Sequence, residues 1–355
     1  MRTRNFSAGP SVLPVEVLKQ LQEQLFDYEG NGLSMIEASH RDKMFDKLYV
    51  ETQDLFRELL NIPENYDVYF LGGGATLQFG MIPANFLMPG TVADYAKTGT
   101  WTAKAINDAK LIGDVNVFFD SKVSMPRPED VVPSANSSYV YMCSNETIGG
   151  TEIREFPRLK DVPLICDMSS DIFSRPFDVT KFGMVYGGVQ KNLGPAGATF
   201  IIMRKDMLDR KNTKLPAYLD FASQAKEPGL YNTPPVFSIW GVKLVLDWIK
   251  AKGGVAAMDR IAEEKSQLLY NLFDSSDFFS TPVEKEFRSR MNVVFRLPSE
   301  ELEAEFLKEA AQVPMLGLKG HRSVGGLRAS IYNAMPMEHV QDLVTLLKDF
   351  ERRNG

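Results

Sequence analysis

The sequence contains few of the residues that mark several common classes of protein. Two cysteines among 355 residues are too few for a disulfide framework. Both of them, Cys143 and Cys166, lie in apolar, strand-like runs, and we expect them to be reduced core residues. No lysine- or arginine-rich run is present and the formal net charge is only -6, which argues against nucleic acid as a partner.

Long apolar runs are absent as well. No stretch approaches the roughly 18 uninterrupted apolar residues of a membrane-spanning helix. The N-terminal stretch MRTRNFSAGPSVLP has no apolar segment long enough for a signal peptide. These absences predict a cytoplasmic protein without membrane association. With 44% hydrophobic and 24% charged residues and no low-complexity tract, the composition is that of a globular, enzyme-sized protein.

The hydrophobic pattern predicts an α/β fold with two domains. A chain of 355 residues is too long for one ordinary core. Short apolar runs alternate with helical patterns, which is typical of buried strands in a largely parallel sheet. After Gly253-Gly254 the pattern mixes helices and strands in a smaller unit. We predict a large α/β domain over residues 15–253 and a small α+β domain over residues 1–14 and 254–355.

Lys191 is the first candidate for chemistry. It lies in YGGVQKNLGPAG, on a turn of small residues between the apolar runs 184–186 and 198–203. Burial disfavours the charged form of such an amine, which is how a lysine becomes a nucleophile toward carbonyl compounds. A loop lysine beside a glycine turn is the alternative on this stretch alone.

Two further features point to one cofactor. Asp167 closes the apolar run 162–166, at the predicted carboxyl end of a parallel strand, where α/β sheets bind ligands; a helix N-cap is the alternative. The glycines 72–74 follow a strand and precede a helix, so backbone amides there can face an anion, unless the glycines only form a tight turn. Neither GxGxxG nor GxxxxGK[ST] is present, which disfavours a dinucleotide or ATP site. A lysine, a carboxylate and a glycine-lined helix start are what pyridoxal phosphate requires.

Basic and aromatic residues suggest the rest of the pocket. Arginine suits carboxylate and phosphate, so loops rich in arginine predict a substrate with two or more negative charges if the fold brings them to Lys191. Trp101, in a Gly-Thr turn, could stack on an aromatic ring or simply pack. Two of the three histidines are followed directly by arginine, with Arg328 after the second pair: His40-Arg41 and His321-Arg322. Two unrelated, solvated loops are the alternative.

These residues, in this order, resemble the phosphoserine-converting members of the class-V, fold-type-I aminotransferase family. The resemblance covers almost the full chain, and its most specific motifs are QKNLGPAG and GHRSVGGLRASIYNA. It implies the fold of pyridoxal-phosphate-dependent transferases of type I, with a large domain of mostly parallel sheet flanked by helices and a smaller α+β C-terminal domain. It also implies a homodimer with shared active sites and no metal site.

The resemblance assigns cofactor roles to individual residues. Lys191 would be the Schiff-base lysine and proton carrier, and Asp167 the partner of the pyridine nitrogen. Trp101 would stack on the ring, with Thr151 bonding nearby. The resemblance further implies a phosphate site made by the backbone amides of Ala75 and Thr76 with Gln190, and completed in the neighbouring subunit by Asn232 and Thr233.

The same resemblance implies the substrates. Arg328 would bind the α-carboxylate, and Ser7 is a further substrate contact. The implied reaction is reversible amino transfer between L-glutamate and 3-phosphohydroxypyruvate, giving O-phospho-L-serine and 2-oxoglutarate in L-serine biosynthesis. Activity on 3-hydroxy-2-oxo-4-phosphobutanoate, giving 4-phosphohydroxy-L-threonine for pyridoxine biosynthesis, is a related expectation. The distal anion would be surrounded by His40, Arg41, His321 and Arg322.

Two rival functions use the same features differently. A lyase of the same fold, such as a cysteine desulfurase, needs a mobile and exposed cysteine, whereas both cysteines lie in apolar runs. A binding protein that keeps the fold without catalysis has no need for both Lys191 and Asp167. We therefore expect an aminotransferase.

Overall fold

The chain folds around a seven-stranded sheet in a computed structural model, which describes residues 2–210 and 214–355. The strands are β1 (Arg4–Asn5), β2 (Tyr66–Leu71), β3 (Val92–Lys97), β4 (Asp114–Asp120), β5 (Ser137–Cys143), β6 (Asn145–Glu146), β7 (Thr151–Glu152), β8 (Leu164–Asp167), β9 (Met184–Gly188), β10 (Thr199–Arg204), β11 (Asn292–Phe295), β12 (Met315–Leu316) and β13 (Leu327–Ser330). The helices are α1 (Val15–Glu23), α2 (Lys43–Leu60), α3 (Gly74–Phe86), α4 (Thr100–Ala109), α5 (Phe221–Lys226), α6 (Val236–Ala251), α7 (Gly254–Asp274), α8 (Glu300–Gln312) and α9 (Met337–Asn354). Within the two described ranges, none of the helices combines the length and the apolar character that crossing a bilayer requires.

The direction of the strands explains where a site can form. The order in the main sheet is β2-β10-β9-β8-β5-β3-β4. Strand β10 is antiparallel to both β2 and β9, whereas the other neighbouring pairs are parallel. The predicted mostly parallel sheet flanked by helices is therefore confirmed. Because only β10 is reversed, the carboxyl ends of the other six strands lie at one edge, where open α/β sheets bind ligands.

Both faces of the sheet are covered, because successive residues of a strand point to opposite sides. Ile165 and Tyr186 pack with residues of α3 and α4 on one face. Their neighbours Cys166 and Val185 pack with residues of α2 and α6 on the other. Cys166 and Cys143 are both buried free thiols, as the apolar runs predict.

Helix α2 begins where the first His-Arg pair ends. The carboxylate of Asp42 accepts a hydrogen bond from the backbone N–H of Met44 (2.8 Å) and caps the helix. At the other end, Asn61 adopts a left-handed conformation with φ of 52° and ends the helix. The cap fixes the position from which His40 and Arg41 emerge.

A second hydrophobic core combines the N-terminal segment with the end of the chain. Phe6 and Val12 pack with residues of α7, α8 and α9. Strand β1 pairs in parallel with β12. Helix α7 contributes to both cores, since Met258 packs in the first and Leu269 in the second. This helix therefore joins the two packed units.

The predicted domain limits stay a prediction. Gly253 lies at the N-terminus of α7 with φ of 101°, so the expected boundary coincides with a turn between α6 and α7. Because α7 packs in both cores, a domain boundary at this turn divides the sequence without separating the two cores. Met1 and residues 211–213, which the predicted domains include, lie outside the described ranges.

Candidate active site

The carboxyl edge of the sheet surrounds a cavity of about 360 Å³. Strand β8 ends at Asp167, and Lys191 follows shortly after β9. From the same edge, the loop after β2 enters α3 and the loop after β3 enters α4. Parallel strands therefore bring together many of the residues predicted for the site, and those that line the cavity are Ala75, Thr76, Trp101, Asp167, Gln190, Lys191, His321 and Arg328.

Lys191 is half-buried, and its amine has one hydrogen-bond acceptor among the described residues. Its Nζ donates to Oγ1 of Thr147 (2.6 Å) and lies 5.4 Å from the centre of the Trp101 ring. Burial lowers the pKa of Lys191, while the negative charge of Asp167 opposes that effect. The hydroxyl of Ser11 donates to the Lys191 carbonyl, which fixes the backbone. The lysine is thus positioned and has an increased tendency to be neutral.

Asp167 is held by its own loop. Its Oδ1 accepts hydrogen bonds from the backbone N–H of Ser169 (2.9 Å) and from the Ser169 hydroxyl (2.5 Å). The Ser169 hydroxyl in turn accepts from the backbone N–H of Gly188 (3.0 Å), at the end of the next strand. Both donors bind the same oxygen, Oδ1, and Asp167 lines the cavity.

The glycine segment after β2 forms an anion cradle. Gly73 has φ of 85°, and a Cβ there would lie 2.5 Å from Cδ2 of Leu77, so only glycine fits. Helix α3 begins at Gly74, and Ala75 and Thr76 line the cavity. The first N–H groups of a helix have no partner within the helix and attract anions.

These groups fit pyridoxal phosphate. The cofactor needs a lysine for its aldehyde, a carboxylate for its pyridine nitrogen and an anion site for its phosphate. Lys191, Asp167 and the first turn of α3 would supply them, with Gln190 beside the lysine. Trp101 would cover one face of the ring; its indole Nε1 is buried and has no hydrogen-bond partner among the described residues.

Arg328 and His321 form the side of the cavity expected to receive the substrate. Arg328 lies on β13, and its Nη1 donates to the carbonyl of Thr147 (3.0 Å). Burial lowers the pKa of Arg328. Nδ1 of His321 lies 2.7 Å from the Ser323 hydroxyl. Arg322 is exposed beside His321 and does not line the cavity.

Several predicted residues lie elsewhere. His40 and Arg41 line a separate groove of about 240 Å³ together with Glu227 and Leu230. Ser7 lies outside the cavity as well, in the segment that follows β1. Asn232 and Thr233 are exposed on the loop that continues from this groove. Within one chain, neither the first His-Arg pair nor Asn232 and Thr233 line the cavity around Lys191.

Thr147, and not Thr151, contacts the reactive amine. Thr151 belongs to β7, which pairs with β6, so its buried side chain does not line the cavity. Its hydroxyl has no hydrogen-bond partner in the described part of the chain. Thr147 comes directly after β6, where the chain turns past Lys191. The motif SNETIGGTE contains both threonines. The two glycines between them are typical of a turn, and this signal in the sequence indicates that Thr147 lies near the start of the turn.

Comparisons with known proteins agree with this geometry. The family model described as aminotransferase class-V matches residues 3–343. A phosphoserine aminotransferase from Bacillus cereus is 47% identical over 357 residues, which is 99% of each chain. One from Desulfosudis oleivorans is also 47% identical, over 100% of this chain and 99% of the relative.

Solved structures show the same fold over the full length. The phosphoserine aminotransferase from Bacillus circulans subsp. alkalophilus matches with a TM-score of 0.98 at 46% identity, covering 100% of this chain and 99% of its own. A pyridoxal-phosphate-bound phosphoserine aminotransferase from Trichomonas vaginalis matches with a TM-score of 0.93 at 40% identity, covering 98% and 100%. The chain belongs to the class-V aminotransferase family and is a pyridoxal-phosphate-dependent enzyme.

Proposed function

We propose that the enzyme transfers an amino group reversibly between L-glutamate and 3-phosphohydroxypyruvate, giving O-phospho-L-serine and 2-oxoglutarate. The observation that carries the proposal is the grouping of Lys191 with Arg328 and His321 in one cavity. The cavity combines an amine for the reaction with basic side chains for two anionic groups. Relatives 46–47% identical to this chain are phosphoserine aminotransferases. The proposed role is a step of L-serine biosynthesis.

Lys191 would move the proton of the reaction. Bound pyridoxal phosphate supplies an electron sink for the charge that develops at the substrate Cα. Burial lowers the pKa of Lys191, so Nζ can take the Cα proton as a base and return it as an acid. Thr147 holds Nζ in place. Asp167 would keep the pyridine nitrogen protonated, since an adjacent opposite charge favours the charged form by ~1–3 pKa units.

Arg328 would receive the α-carboxylate. It lies on a strand, and its hydrogen bond to Thr147 holds the guanidinium beside Lys191. The Nε of Arg328 is buried and has no partner among the described residues, which leaves it for a carboxylate. The distal anion would then lie near His321 and Arg322. Both amino-acid substrates carry an α-carboxylate and a second anion, so one pocket can serve both directions.

A homodimer with shared active sites would complete the pocket. His40 and Arg41 lie beside the loop that leads to Asn232 and Thr233. A partner subunit that delivers Asn232 and Thr233 to the cofactor phosphate would bring this exposed region close to the cavity. We therefore propose that the first His-Arg pair binds the distal anion in the dimer, with Ser7 as a further substrate contact.

A second substrate follows from the same pattern of charges. The four-carbon compound 3-hydroxy-2-oxo-4-phosphobutanoate has an α-carboxylate and a phosphate, separated by one more hydroxylated carbon. His321 is half-buried and lines the cavity, and the exposed Arg322 follows it directly, so a longer substrate would meet the same basic side chains. We propose that the enzyme also forms 4-phosphohydroxy-L-threonine, for pyridoxine biosynthesis. Turnover of this keto acid with glutamate at the background rate would contradict this part.

The test of the main proposal compares phosphoserine with serine. Each amino acid is added to the enzyme loaded with pyridoxal phosphate, and the visible absorption of the cofactor is followed. Phosphoserine should convert the spectrum at far lower concentration than serine and should yield 3-phosphohydroxypyruvate. The proposed specificity is wrong if phosphoserine leaves the spectrum unchanged or if serine converts it equally well.

A further inference from the structure

Lys265 is a buried lysine whose partners are all backbone carbonyls. It lies on α7 and is fully buried. In residues 2–210 and 214–355 no carboxylate lies within salt-bridge distance of its Nζ. Nζ instead donates to the carbonyls of Tyr332 (2.6 Å), Asn333 (3.4 Å) and Met335 (3.1 Å). Burial lowers the pKa of Lys265 to about 7, because an ammonium group is costly to bury. The three bonds to one turn satisfy the buried amine and hold the turn against α7.

The turn held by Lys265, residues 332–335, contacts the loop of the reactive amine. The backbone N–H of Asn333 donates to Oδ1 of Asn192 (3.0 Å), and Asn192 directly follows Lys191. The Asn192 side chain also donates to the carbonyl of Ile172 (2.6 Å), in the segment after Asp167. Asn192 therefore joins the turn to both segments that carry the reacting groups.

The same turn also supports the other side of Lys191. The hydroxyl of Tyr332 donates to the carbonyl of Ala8 (2.6 Å), and Ala8 and Gly9 line the cavity. A Cβ on Gly9 would lie 3.2 Å from Cγ of Lys191, so this segment packs closely on the lysine side chain. Two residues later, the N–H of Ser11 donates to the carbonyl of Gln190 (3.0 Å).

We infer that Lys265 is a positioning residue for Lys191. Its Nζ fixes the 332–335 turn, which holds the Lys191 loop through Asn192 and the N-terminal segment through Tyr332. Lys265 lies outside the cavity and acts only through these contacts. The inference rests on the proposed role of Lys191 as the reactive amine.

The experiment replaces Lys265 in the full-length enzyme loaded with pyridoxal phosphate. Lys265→Met keeps a side chain of similar length and removes the three donors. The first measurement uses no substrate: it follows the pH at which the visible absorption of the cofactor changes, which reports the environment of Lys191. We expect this midpoint to shift by about one pH unit, because a displaced lysine changes its charge interactions with the cofactor.

A second measurement separates positioning from binding. Displacement of a reacting group by about 1 Å can cost roughly 100-fold in rate, so we expect kcat to fall roughly 10- to 100-fold and KM to change much less. Ser266→Ala is the matched control, since the hydroxyl of this buried neighbour on α7 donates, among the described residues, to the Glu263 carbonyl of its own helix. The control should keep the midpoint and kcat of the unmodified enzyme.

Asn192→Ala tests the same connection from its other end. It should shift the midpoint in the same direction. In the double variant with Lys265→Met the two shifts should not add, because both changes break the same connection between the 332–335 turn and the Lys191 loop. If Lys265→Met does not fold, Asn192→Ala alone decides the question. A folded variant with an unchanged midpoint and kcat overturns the inference. Failure of the unmodified enzyme to convert phosphoserine would instead contradict the proposed function, since the midpoint is measured without substrate.

Discussion

The cavity around Lys191 and the groove around Arg41 differ in how the chain holds their side chains. In the cavity, Asp167 is buried and Lys191 is half-buried, and both are hydrogen-bonded to neighbouring residues. In the groove, Arg41 is exposed and His40 is half-buried, on a loop before α2. One chain therefore positions the groups expected to react, whereas half of the groups expected to recognise the second anion lie on an exposed loop.

This difference has an energetic side. A buried, hydrogen-bonded group loses little further conformational entropy when a ligand binds, which favours precise chemistry. An exposed arginine must be ordered by its ligand, and at 0.1 M ionic strength salt largely screens its attraction to an anion more than about 10 Å away. Changes in the cavity should therefore affect the rate, and changes in the groove should affect the choice of substrate.

Lys191→Ala should have the largest effect. Loss of the side chain proposed to move the Cα proton should reduce kcat by at least about 10³-fold, because positioned acid–base groups typically contribute 10²–10⁴-fold. Steady-state transamination of glutamate measures the change. Lys250→Ala, which removes an exposed lysine paired with Glu58, is the control and should leave kcat unchanged. If Lys191→Ala kept a tenth of the activity, the cavity around Lys191 would not be the site of the reaction.

Glu152 tests whether a buried and paired charge stabilises the fold. Burial alone would raise the pKa of its carboxyl, but the guanidinium groups of Arg175, Arg154 and Arg290 bring it down to about 2. Arg290 lies 2.8 Å from Glu152 and precedes β11, so the pair joins the two packed units. A lowered folded pKa stabilises the protein above the unfolded value of about 4.5, by about 3 kcal/mol, and this stability is lost as the pH falls from about 4.5 toward 2.

The expected result is a steep loss of stability in acid that depends on Glu152. Urea unfolding at pH 6 and pH 3.5 should show a smaller difference for Glu152→Gln than for the unmodified enzyme. Glu286→Gln is the control, because Glu286 pairs with Arg127 on the surface, where ion pairs contribute little. Equal acid sensitivity of all three proteins would show that this buried cluster does not stabilise the fold.

The sequence was most informative where a residue follows a buried strand. Asp167 closes an apolar run and Lys191 follows another one shortly after its end, and parallel strands must bring their carboxyl ends to one edge. Thr147 and Thr151 lie in the same short motif, so the choice between them depends on the hairpin of β6 and β7. No periodicity or composition indicates where such a short hairpin places its side chains. The resemblance names Thr151 as a cofactor contact, whereas Thr147 is the threonine that lines the cavity.

Two other features depend on contacts between distant segments. The two His-Arg pairs lie at opposite ends of the chain, and nothing in the spacing tells whether they meet within one chain or between two. Lys265 lies in IAEEKSQLLYNLF, where it has the appearance of one charge among several on an amphipathic helix. Only the packing of α7 against the 332–335 turn shows that its amine is buried. Pattern identifies elements and their ends, but not the partners of a single side chain.

Arg41→Ala should have the smallest and most selective effect. If the pair His40-Arg41 binds the distal anion in the dimer, loss of a charge-assisted bond of about 1.5–3 kcal/mol lowers kcat/KM for phosphoserine roughly 10- to 100-fold. Serine has no distal anion, so its slow reaction should not change. Arg158→Ala, which removes an exposed arginine paired with Asp178, is the control. The phosphoserine defect should shrink as salt is raised, since the arginine is exposed. Equal losses for serine and phosphoserine would instead show that Arg41 supports the structure of the enzyme and does not bind the distal anion.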